Sequence, residues 1–291
     1  MFNMNIALVE SPFQLLQALE ILNSNGKCIF LIRLNNIEKN NKQLKEIISK
    51  FKVPNVLYIH SHNKFNLIFY FVPLLLAMRL SQRIYIGDEN SFIFRVIRRF
   101  LSFEKIYLLD DGVATLIASR NYGYKRYTIF ENVKGIKNTL NYCQNILEKE
   151  EKERRVNVII GGKLVEEGIC AQDCYHDILQ EIIGDFDSSP IIYIPHRGES
   201  VKNIVCLSQK FDFEILQNNL PAELIGLEFK IDPICVVSVL STALYSMSLI
   251  YKNTDFKVYP LKNSDVLSRQ DAIKNLYEQM KLNTNFFEHK E

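Results

Sequence analysis

The sequence lacks the short motifs by which many nucleotide-binding enzymes are identified. Gly-x-Gly-x-x-Gly and Walker fingerprints are both absent from its 291 residues, which argues against dinucleotide chemistry and nucleoside triphosphate hydrolysis. It also lacks a strong charge of either sign, because the formal net charge is only +2. With no arginine-rich block and no zinc-finger spacing, nucleic acid is not expected as a partner.

Long hydrophobic runs are missing as well. The most apolar stretch, Phe65 to Ala77, is interrupted by Pro73 and falls short of the roughly 20 residues that a membrane-spanning helix needs. Six basic residues surround it and the helix predicted next: Lys64, Arg79, Arg83, Arg95, Arg98 and Arg99. They leave room for peripheral contact with the anionic inner face of the plasma membrane. A buried helix with solvated basic ends is the alternative.

Cysteines are few and scattered, at positions 28, 143, 170, 174, 206 and 235. The first apolar stretch, Ile6 to Val9, ends at Glu10, so the pattern predicts no signal peptide, and unpaired cysteines suit the reducing cytoplasm. Cys170, Cys174 and His176 resemble metal ligands, but no second ligand pair accompanies them and their spacing fits a packed helix face. We therefore predict neither a metal site nor a cofactor.

The composition is that of an ordinary globular protein, with 47% hydrophobic and 23% charged residues. The length exceeds that of one domain of roughly 100 to 200 residues and predicts two lobes. Apolar segments that alternate with helical patterns predict five strands in the first half: Met4–Val9, Lys27–Ile32, Asn55–Ile59, Arg83–Ile86 and Lys105–Leu109. Such alternation is typical of a parallel sheet with helices on both faces.

A highly charged segment, Asn138 to Arg155, is predicted to be a surface helix near the lobe boundary, which we place at residue 155. Strands are predicted again at Val156–Ile160, Pro190–Ile194 and Phe256–Tyr259, with helical segments at Leu164–Gly168 and Asp173–Ile183 and a strand or turn around Val236. The sequence thus predicts an α/β fold of two Rossmann-like lobes, 1–155 and 156–291, facing a cleft. The last helix, Asp265–Met280, can pack back on the first lobe.

Two neighbouring carboxylates follow the fifth predicted strand. Asp110, Asp111 and Gly112 stand where a parallel strand would deliver them to its carboxyl end, the edge at which open α/β sheets bind ligands. Paired carboxylates with different protonation behaviour can supply a general base, and the glycine permits a tight turn close to a ligand. The same triplet is also ordinary turn chemistry.

The second lobe carries groups that suit a phosphate. His196, Arg197 and Gly198 follow the strand that ends at Ile194 and precede a helix whose N-terminus adds backbone donors. Ser241 and Thr242 begin another predicted helix with two hydroxyls and free amides. Surface exposure of Arg197 and plain helix capping by the hydroxyls are the alternatives.

A carboxylate in the first turn of a third helix, Glu223 after Pro221, can accept both hydroxyls of a ribose. Compensation of the helix dipole is an equally good account of this residue.

Taken in order, these motifs resemble those of bacterial sialyltransferases, especially glycosyltransferase family 52 and the related polysialyltransferases. The matching residues are Asp110-Asp111-Gly112, His196, Pro221-Ala222-Glu223 and Ser241-Thr242, and Glu10-Ser11-Pro12-Phe13-Gln14 resembles the family's N-terminal Ser/Thr-Pro-x-Gln segment. The resemblance runs from about residue 5 to about residue 260. One departure is that the family's His-Pro pair is His196-Arg197 here, with Pro195 before the histidine.

The resemblance implies two facing lobes of the GT-B type and an inverting transfer of sialic acid from CMP-N-acetylneuraminate to a sugar hydroxyl, often galactose. The acceptor would be a bacterial surface glycan: lipooligosaccharide, O-antigen (lipopolysaccharide biosynthesis) or capsule. It implies that Asp110 or Asp111 is the base, and we favour Asp110 because it lies nearest the strand end. CMP would be bound by His196, Arg197, Gly198, Glu223, Ser241 and Thr242, and the acceptor or sugar by Ser11, Pro12, Gln14 and Gly112, without a metal.

Several alternatives stay open at this point. The donor can be another CMP-linked acid, such as Kdo, legionaminate or pseudaminate. A nucleotide-sugar epimerase or hydrolase can use the same two-lobe plan, and so can a non-catalytic glycan-binding protein. A homodimer is compatible with the sequence.

Overall fold

The chain folds into two compact units. The computed structural model describes residues 4–23, 26–60, 73–87, 91–112, 115 and 123–283. The first unit comprises Met1–Ile146 and Asn219–Pro221, and the second comprises Leu147–Asn218 and Ala222–Glu291.

The first unit is built on a parallel sheet, in which the described residues form seven strands in the order β3-β2-β1-β4-β5-β6-β7. The strands are β1 Asn5–Val9, β2 Cys28–Leu34, β3 Val56–His60, β4 Ile84–Ile86, β5 Ile106–Leu109, β6 Lys125–Thr128 and β7 Ile136–Lys137. The helices with described bounds are α1 Pro12–Asn23, α2 Glu38–Lys50, α3 Phe92–Phe100 and α4 Asn141–Leu147, and residues 73–80 are also helical.

The core of this unit follows from apolar strands that helices cover. Every residue of β1 is buried, as expected for a central parallel strand. The helix at 73–80 and α3 join the same hydrophobic cluster through Met78, Phe94 and Ile97. Because the chain adds β2 and β3 on one side of β1 and β4 on the other, the strand order reverses between β1 and β4, which is where a sheet of this kind binds ligands.

The second unit has a smaller parallel sheet, with five strands among its described residues in the order β10-β9-β8-β11-β12. They are β8 Arg154–Ile160, β9 Ile191–Ile194, β10 Glu214–Ile215, β11 Ile231–Ser238 and β12 Asp255–Val258. The helices are α5 Gln172–Asp185, α6 Val201–Lys210, α7 Ile225–Glu228, α8 Ala243–Ile250 and α9 Gln270–Asn283. The order of strands reverses here between β8 and β11.

The predicted α/β class with two parallel-sheet lobes is confirmed. Strands predicted at five places in the first half form β1 to β5. The predicted helix Lys64–Leu80 lies partly outside the described residues, which begin again at residue 73. In the described part of the chain, no helix combines the length and the apolar character needed to cross a bilayer.

The long helix predicted at Asn138–Arg155 is wrong. Helix α4 ends at Leu147, and the chain is already extended at Arg154, where β8 begins. After Leu147 the segment has no apolar face to bury, so helix propensity alone does not hold it. Instead Arg154 pairs with Glu214 (2.7 Å), and Glu153 pairs with Lys230 (2.6 Å). The Glu153 N–H also donates to the Lys230 carbonyl (2.8 Å).

Of two smaller predictions, one is wrong and one is confirmed. Residues 164–168, predicted as helical, form successive turns that end at Gly168, whose φ of +61° belongs to the left-handed region. The segment around Val236, predicted as a strand or turn, is strand β11, which pairs with β8 on one side and β12 on the other. The last helix, α9, bonds within its own unit, because the Tyr277 hydroxyl donates to the Val239 carbonyl (3.0 Å). Its packing on the first lobe stays a prediction.

Candidate functional site

Gln14 occupies the point of the first sheet where the strand order reverses. It lies in the first turn of α1, just past β1, and its side chain is buried against Gly87, the residue that follows β4. A Cβ at Gly87 would overlap the Gln14 side chain, so this contact requires glycine. The Gln14 side chain accepts from the Glu10 N–H (2.9 Å) and donates to the Asp111 carboxylate (3.3 Å). Ser11 accepts from the Gln14 N–H (3.4 Å) and so caps the start of α1, and Pro12 is buried.

Asp110 is a fully buried carboxyl group. One of its oxygens accepts from the Ile129 N–H (2.7 Å), and its other oxygen has no partner among the described residues. Burial raises the pKa of Asp110 to about 7, against the opposing effects of the Ile129 N–H and the Thr128 hydroxyl. The side-chain amide of Gln17 makes two hydrogen bonds to the Asp110 backbone, both of 2.9 Å: it donates to the carbonyl and accepts from the N–H. Asp110 therefore ties the end of β5 to α1 and to the end of β6.

Asp111, in contrast, is exposed. Its N–H donates to the Thr115 hydroxyl (2.7 Å), and its carboxylate meets Gln14 at the reversal point. Gly112 follows with φ +58°, a left-handed conformation that glycine adopts without strain. The turn thus directs one carboxylate into the sheet and leaves the next accessible.

This arrangement argues against the preference for Asp110 as the base. A general base must come within hydrogen-bond reach of the acceptor hydroxyl, and a side chain with no exposed surface offers no such access. Proximity to the strand end, the reason for that preference, is what places Asp110 inside the core.

In the second unit, His196 lies at the carboxyl edge of the sheet, just past β9, and is half-buried. The Gly198 N–H donates to His196 Nδ1 (3.0 Å). With Nδ1 acting as the acceptor, the neutral imidazole carries its proton on Nε2. The ring is therefore set to donate a hydrogen bond from Nε2.

Glu199 holds the His196 backbone and was not singled out from the sequence. Its carboxylate accepts from the His196 N–H (3.2 Å) and from the Tyr193 hydroxyl (3.0 and 3.1 Å). Gly161, at the end of β8, makes room for this group, since a Cβ there would overlap both the Glu199 carboxylate and the Tyr193 hydroxyl. The only sequence signal was the Gly161-Gly162 pair directly after a strand.

Side chains accept from two amides at the start of the helix that follows His196. Ser200 accepts from the Asn203 N–H (3.2 Å), and the Glu166 carboxylate accepts from the Ser200 N–H (2.7 Å). Two amides at the start of this helix are thus engaged within the protein, and a role of its remaining amides in holding a phosphate stays a prediction. A cation missed in the sequence lies nearby: Lys163 approaches the Gly198 backbone closely and pairs with Glu167.

Ser241 and Thr242 precede α8 at the carboxyl end of β11, which is the reversal point of the second sheet. Ser241 accepts from the Ala243 N–H (3.2 Å), and the Thr242 side chain makes no capping bond to the helix. The Leu240 carbonyl lies close to Gly162, where the segments after β8 and β11 meet. Hydroxyls and amides of this segment are thus placed at the edge predicted for them.

Glu223 is buried next to α8. Burial raises its pKa, while its own backbone N–H, the Ser246 hydroxyl and the Arg197 charge act in the opposite direction. Ser246 donates to one carboxylate oxygen (2.8 Å), and the Tyr251 hydroxyl donates to the Glu223 carbonyl (3.0 Å). The exposed Arg197 therefore acts on Glu223 through its charge. All six residues predicted to bind the donor lie in the second unit: His196, Arg197, Gly198, Glu223, Ser241 and Thr242.

Comparison with known proteins identifies the fold. No protein-family model matches the sequence, and no curated protein sequence does. Similar solved structures include the UDP-GlcNAc 2-epimerase of Methanocaldococcus jannaschii in complex with UDP-GlcNAc and UDP (13% identity, 97% of this chain and 93% of that chain, TM-score 0.55). The α/β-galactoside α-2,3-sialyltransferase of Photobacterium phosphoreum is similar as well (12%, 98% and 97%, 0.54). So is the UDP-GlcNAc 2-epimerase of Neisseria meningitidis bound to UDP-GlcNAc (13%, 96% and 91%, 0.56).

At such low identities the likeness establishes the fold, which is that of GT-B type glycosyltransferases and epimerases. A bacterial sialyltransferase is among the similar structures, and membership of glycosyltransferase family 52 stays a prediction.

Proposed function

We propose that this protein is an inverting glycosyltransferase that moves sialic acid from CMP-N-acetylneuraminate to a hydroxyl of a bacterial surface glycan, with galactose as the expected acceptor sugar. The observation that carries the proposal is the contrast within the acidic pair: the sheet edge that binds ligands in this fold presents one accessible carboxylate, Asp111, beside Gln14. The second unit supplies groups of the kind that a leaving nucleotide monophosphate needs.

Asp111 is the base in this mechanism. As the acceptor oxygen attacks the anomeric carbon, the Asp111 carboxylate takes the hydroxyl proton, and the bond between that carbon and the CMP phosphate breaks on the opposite face. Gln14 donates to Asp111 and so orients the carboxylate, and the left-handed turn at Gly112 keeps the backbone out of the acceptor's way. Ser11 and Pro12 set the start of α1 that carries Gln14.

CMP departs with a growing negative charge on its phosphate. His196 Nε2–H donates to a phosphate oxygen, and the Ser241 and Thr242 segment adds hydroxyl and amide donors at the start of α8. Arg197 contributes positive charge, and Gly198 contributes through the hydrogen bond that sets the His196 tautomer. Glu223, oriented by Ser246, accepts from the ribose. With these donors a metal ion is not needed, and activity is expected to persist in chelator.

Mass spectrometry of the products tests the proposal most directly. The full chain is incubated with CMP-N-acetylneuraminate and lactose, with and without chelator, and the expected product is sialyllactose together with CMP. Parallel reactions with CMP-linked Kdo, legionaminate and pseudaminate identify the sugar. Failure to form a glycosidic product from any CMP-sugar and a galactose-terminated acceptor, with CMP binding absent by calorimetry, would overturn it.

An epimerase is the second candidate, because two of the similar structures reported above are UDP-GlcNAc 2-epimerases of nearly the same chain coverage. An epimerase turns over UDP-GlcNAc without any acceptor, whereas a transferase requires one. Incubation with UDP-GlcNAc alone, followed by chromatographic separation of the 2-epimers, distinguishes the two.

A further inference from the structure

The described residues of the first unit carry a surface that mixes large exposed apolar side chains with arginines. Leu80, Phe100 and Phe103 are 57%, 62% and 58% exposed, and Arg79, Arg98 and Arg99 are exposed beside them in the chain. We name these six residues the basic-apolar surface. It lies at the C-terminal ends of the helix at 73–80 and of α3, which is the opposite end of the sheet from Asp111.

The two helix ends belong to one continuous surface. Lys105, which follows α3, donates through Nζ to the carbonyls of Arg79 (3.0 Å) and Ser81 (3.1 Å) at the end of the other helix. The buried faces of both helices meet the same core, through Met78 on one and Ile97 on the other. The exposed residues therefore lie on the solvent side of two helices that share a core and are joined by the hydrogen bonds of Lys105.

Charge in this region is strongly one-sided. Residues 73–83 and 91–105 contain six arginines and lysines against one carboxylate, Glu104, although the whole chain has a net charge of only +2. The rest of the sequence is therefore slightly acidic. The Arg83 guanidinium lies over the Tyr107 ring (5.4 Å), and Lys105 donates to the two carbonyls named above. Arg79, Arg98 and Arg99, in contrast, form no ion pair with any residue that the structure describes.

We propose that the basic-apolar surface docks this protein on an anionic lipid bilayer. Exposed phenylalanine and leucine side chains enter the interface between headgroups and acyl chains, while the arginine stems lie along it with their charges at the lipid phosphates. A polybasic surface of this kind attracts anionic lipids and has no comparable attraction for neutral lipids. A glycan acceptor anchored in the same membrane would then be met by diffusion in two dimensions. The docking surface is distinct from the groups proposed for catalysis and can be tested without them.

The test is sedimentation of the full chain with vesicles in the absence of any nucleotide sugar. Vesicles that contain phosphatidylglycerol are expected to sediment the protein, and vesicles of pure phosphatidylcholine are not. Arg98→Gln/Arg99→Gln removes two charges, each worth about 1 kcal/mol near an anionic surface, so binding should weaken about 30-fold. Phe100→Ser/Phe103→Ser should weaken binding at least about tenfold through lost apolar insertion.

Matched controls remove the same chemistry elsewhere. Lys45→Gln/Lys50→Gln takes two exposed cations from α2, and Val201→Ser/Leu267→Ser takes two exposed apolar side chains from the second unit. Both controls should bind vesicles as the wild type does. Equal sedimentation with both kinds of vesicle, no sedimentation with anionic ones, or equal losses in test and control variants would each overturn the proposal.

A second copy of the chain could occupy the basic-apolar surface instead of a membrane. Light scattering after size-exclusion chromatography measures the oligomeric state and tests this alternative. If the wild type is a dimer that Phe100→Ser/Phe103→Ser converts to a monomer, and anionic vesicles do not bind the wild type, the surface is a self-interface and the membrane proposal is wrong.

Discussion

Two adjacent aspartates in this protein have different environments, although nothing in their sequence separates them. Asp110 is enclosed between β5 and β6, and burial raises the pKa of its carboxyl group to about 7. Asp111, in contrast, is exposed beside Gln14. The difference arises because consecutive side chains at a strand end point to opposite sides. We therefore propose a structural role for Asp110 and a chemical one for Asp111.

Asp111→Asn should reduce transfer by a factor of roughly 100 to 10,000, the usual contribution of a general base, because the amide cannot take the acceptor proton. Its unfolding midpoint in urea should stay near that of the wild type, since the side chain is exposed. Asp110→Asn is the matched comparison, and we expect it to keep transfer within about tenfold of the wild type. The opposite ranking of the two variants in initial-rate assays would reassign the base to Asp110.

His196 allows a test of which ring nitrogen acts. A glutamine at this position places an amide donor near the place of Nε2, whereas an asparagine offers an acceptor near the place of Nδ1 and nothing at Nε2. A hydrogen bond to a charged phosphate contributes about 1.5 to 3 kcal/mol, so His196→Asn should weaken CMP binding roughly 10- to 100-fold, and His196→Gln should weaken it less.

Calorimetry with CMP and with cytidine provides the control for that comparison. Cytidine has no phosphate, so its affinity should hardly change in either variant. Equal losses of CMP affinity in both would show that the imidazole acts through its shape and not through Nε2.

At the scale of elements, the strand ends decide the geometry of the site. Gly161 directly follows β8 and lets the Glu199 carboxylate reach the His196 N–H and the Tyr193 hydroxyl. A side chain at this position would displace that carboxylate and, with it, the backbone that carries His196.

Gly161→Ala should therefore lower the free energy of unfolding by about 1 to 3 kcal/mol, as overpacking does, and weaken CMP binding as well. Gly184→Ala in α5 is the control, since a Cβ at that position would meet nothing within 4 Å apart from its chain neighbours and the helix's own backbone. There the exchange should raise stability by a few tenths to about 1 kcal/mol, because alanine favours a helix. Urea unfolding and calorimetry measure both effects, and unchanged CMP affinity in Gly161→Ala would argue against the Glu199 linkage.

For the whole molecule, the buried Asp110 carboxyl couples stability to pH. In the unfolded chain an aspartate ionises near pH 4, whereas the folded protein holds this proton up to about pH 7. Between those values the folded state binds more protons than the unfolded state, so the Asp110 contribution to stability falls as pH rises through the window and is constant above it.

The difference in unfolding free energy between wild type and Asp110→Asn should accordingly decrease from pH 5 to about pH 7 and then level off. Asp187→Asn serves as a control, because hydrogen bonds from Ser189 lower the pKa of Asp187 and its contribution changes only in more acidic solution. Urea titrations at several pH values measure both, and a pH-independent difference for Asp110→Asn would contradict the assigned environment.

Strands could be predicted from the sequence where consecutive residues are buried and apolar. Where strands are partly exposed, the prediction failed. β1 and β5 are fully buried and their apolar runs predicted them. β6 is only partly buried and β7 is an exposed edge strand; both carry charged residues, and neither was predicted. The charged segment after Leu147 favoured a helix on propensity alone, and contacts of Glu153 and Arg154 with distant residues keep it extended. Short-range patterns carry no information about such pairings.

The sequence by itself determined the α/β class, the two parallel sheets and the strand ends at which Asp110, Asp111, His196 and Ser241 stand, because strand period and burial are local properties. Only the tertiary structure decided which aspartate is accessible and which His196 nitrogen is committed to an acceptor role. It also revealed that Glu199 and Gln17 hold the two sites in place. These properties depend on contacts between residues far apart in the chain, such as Gln17 with Asp110, and on the exclusion of water that those contacts produce.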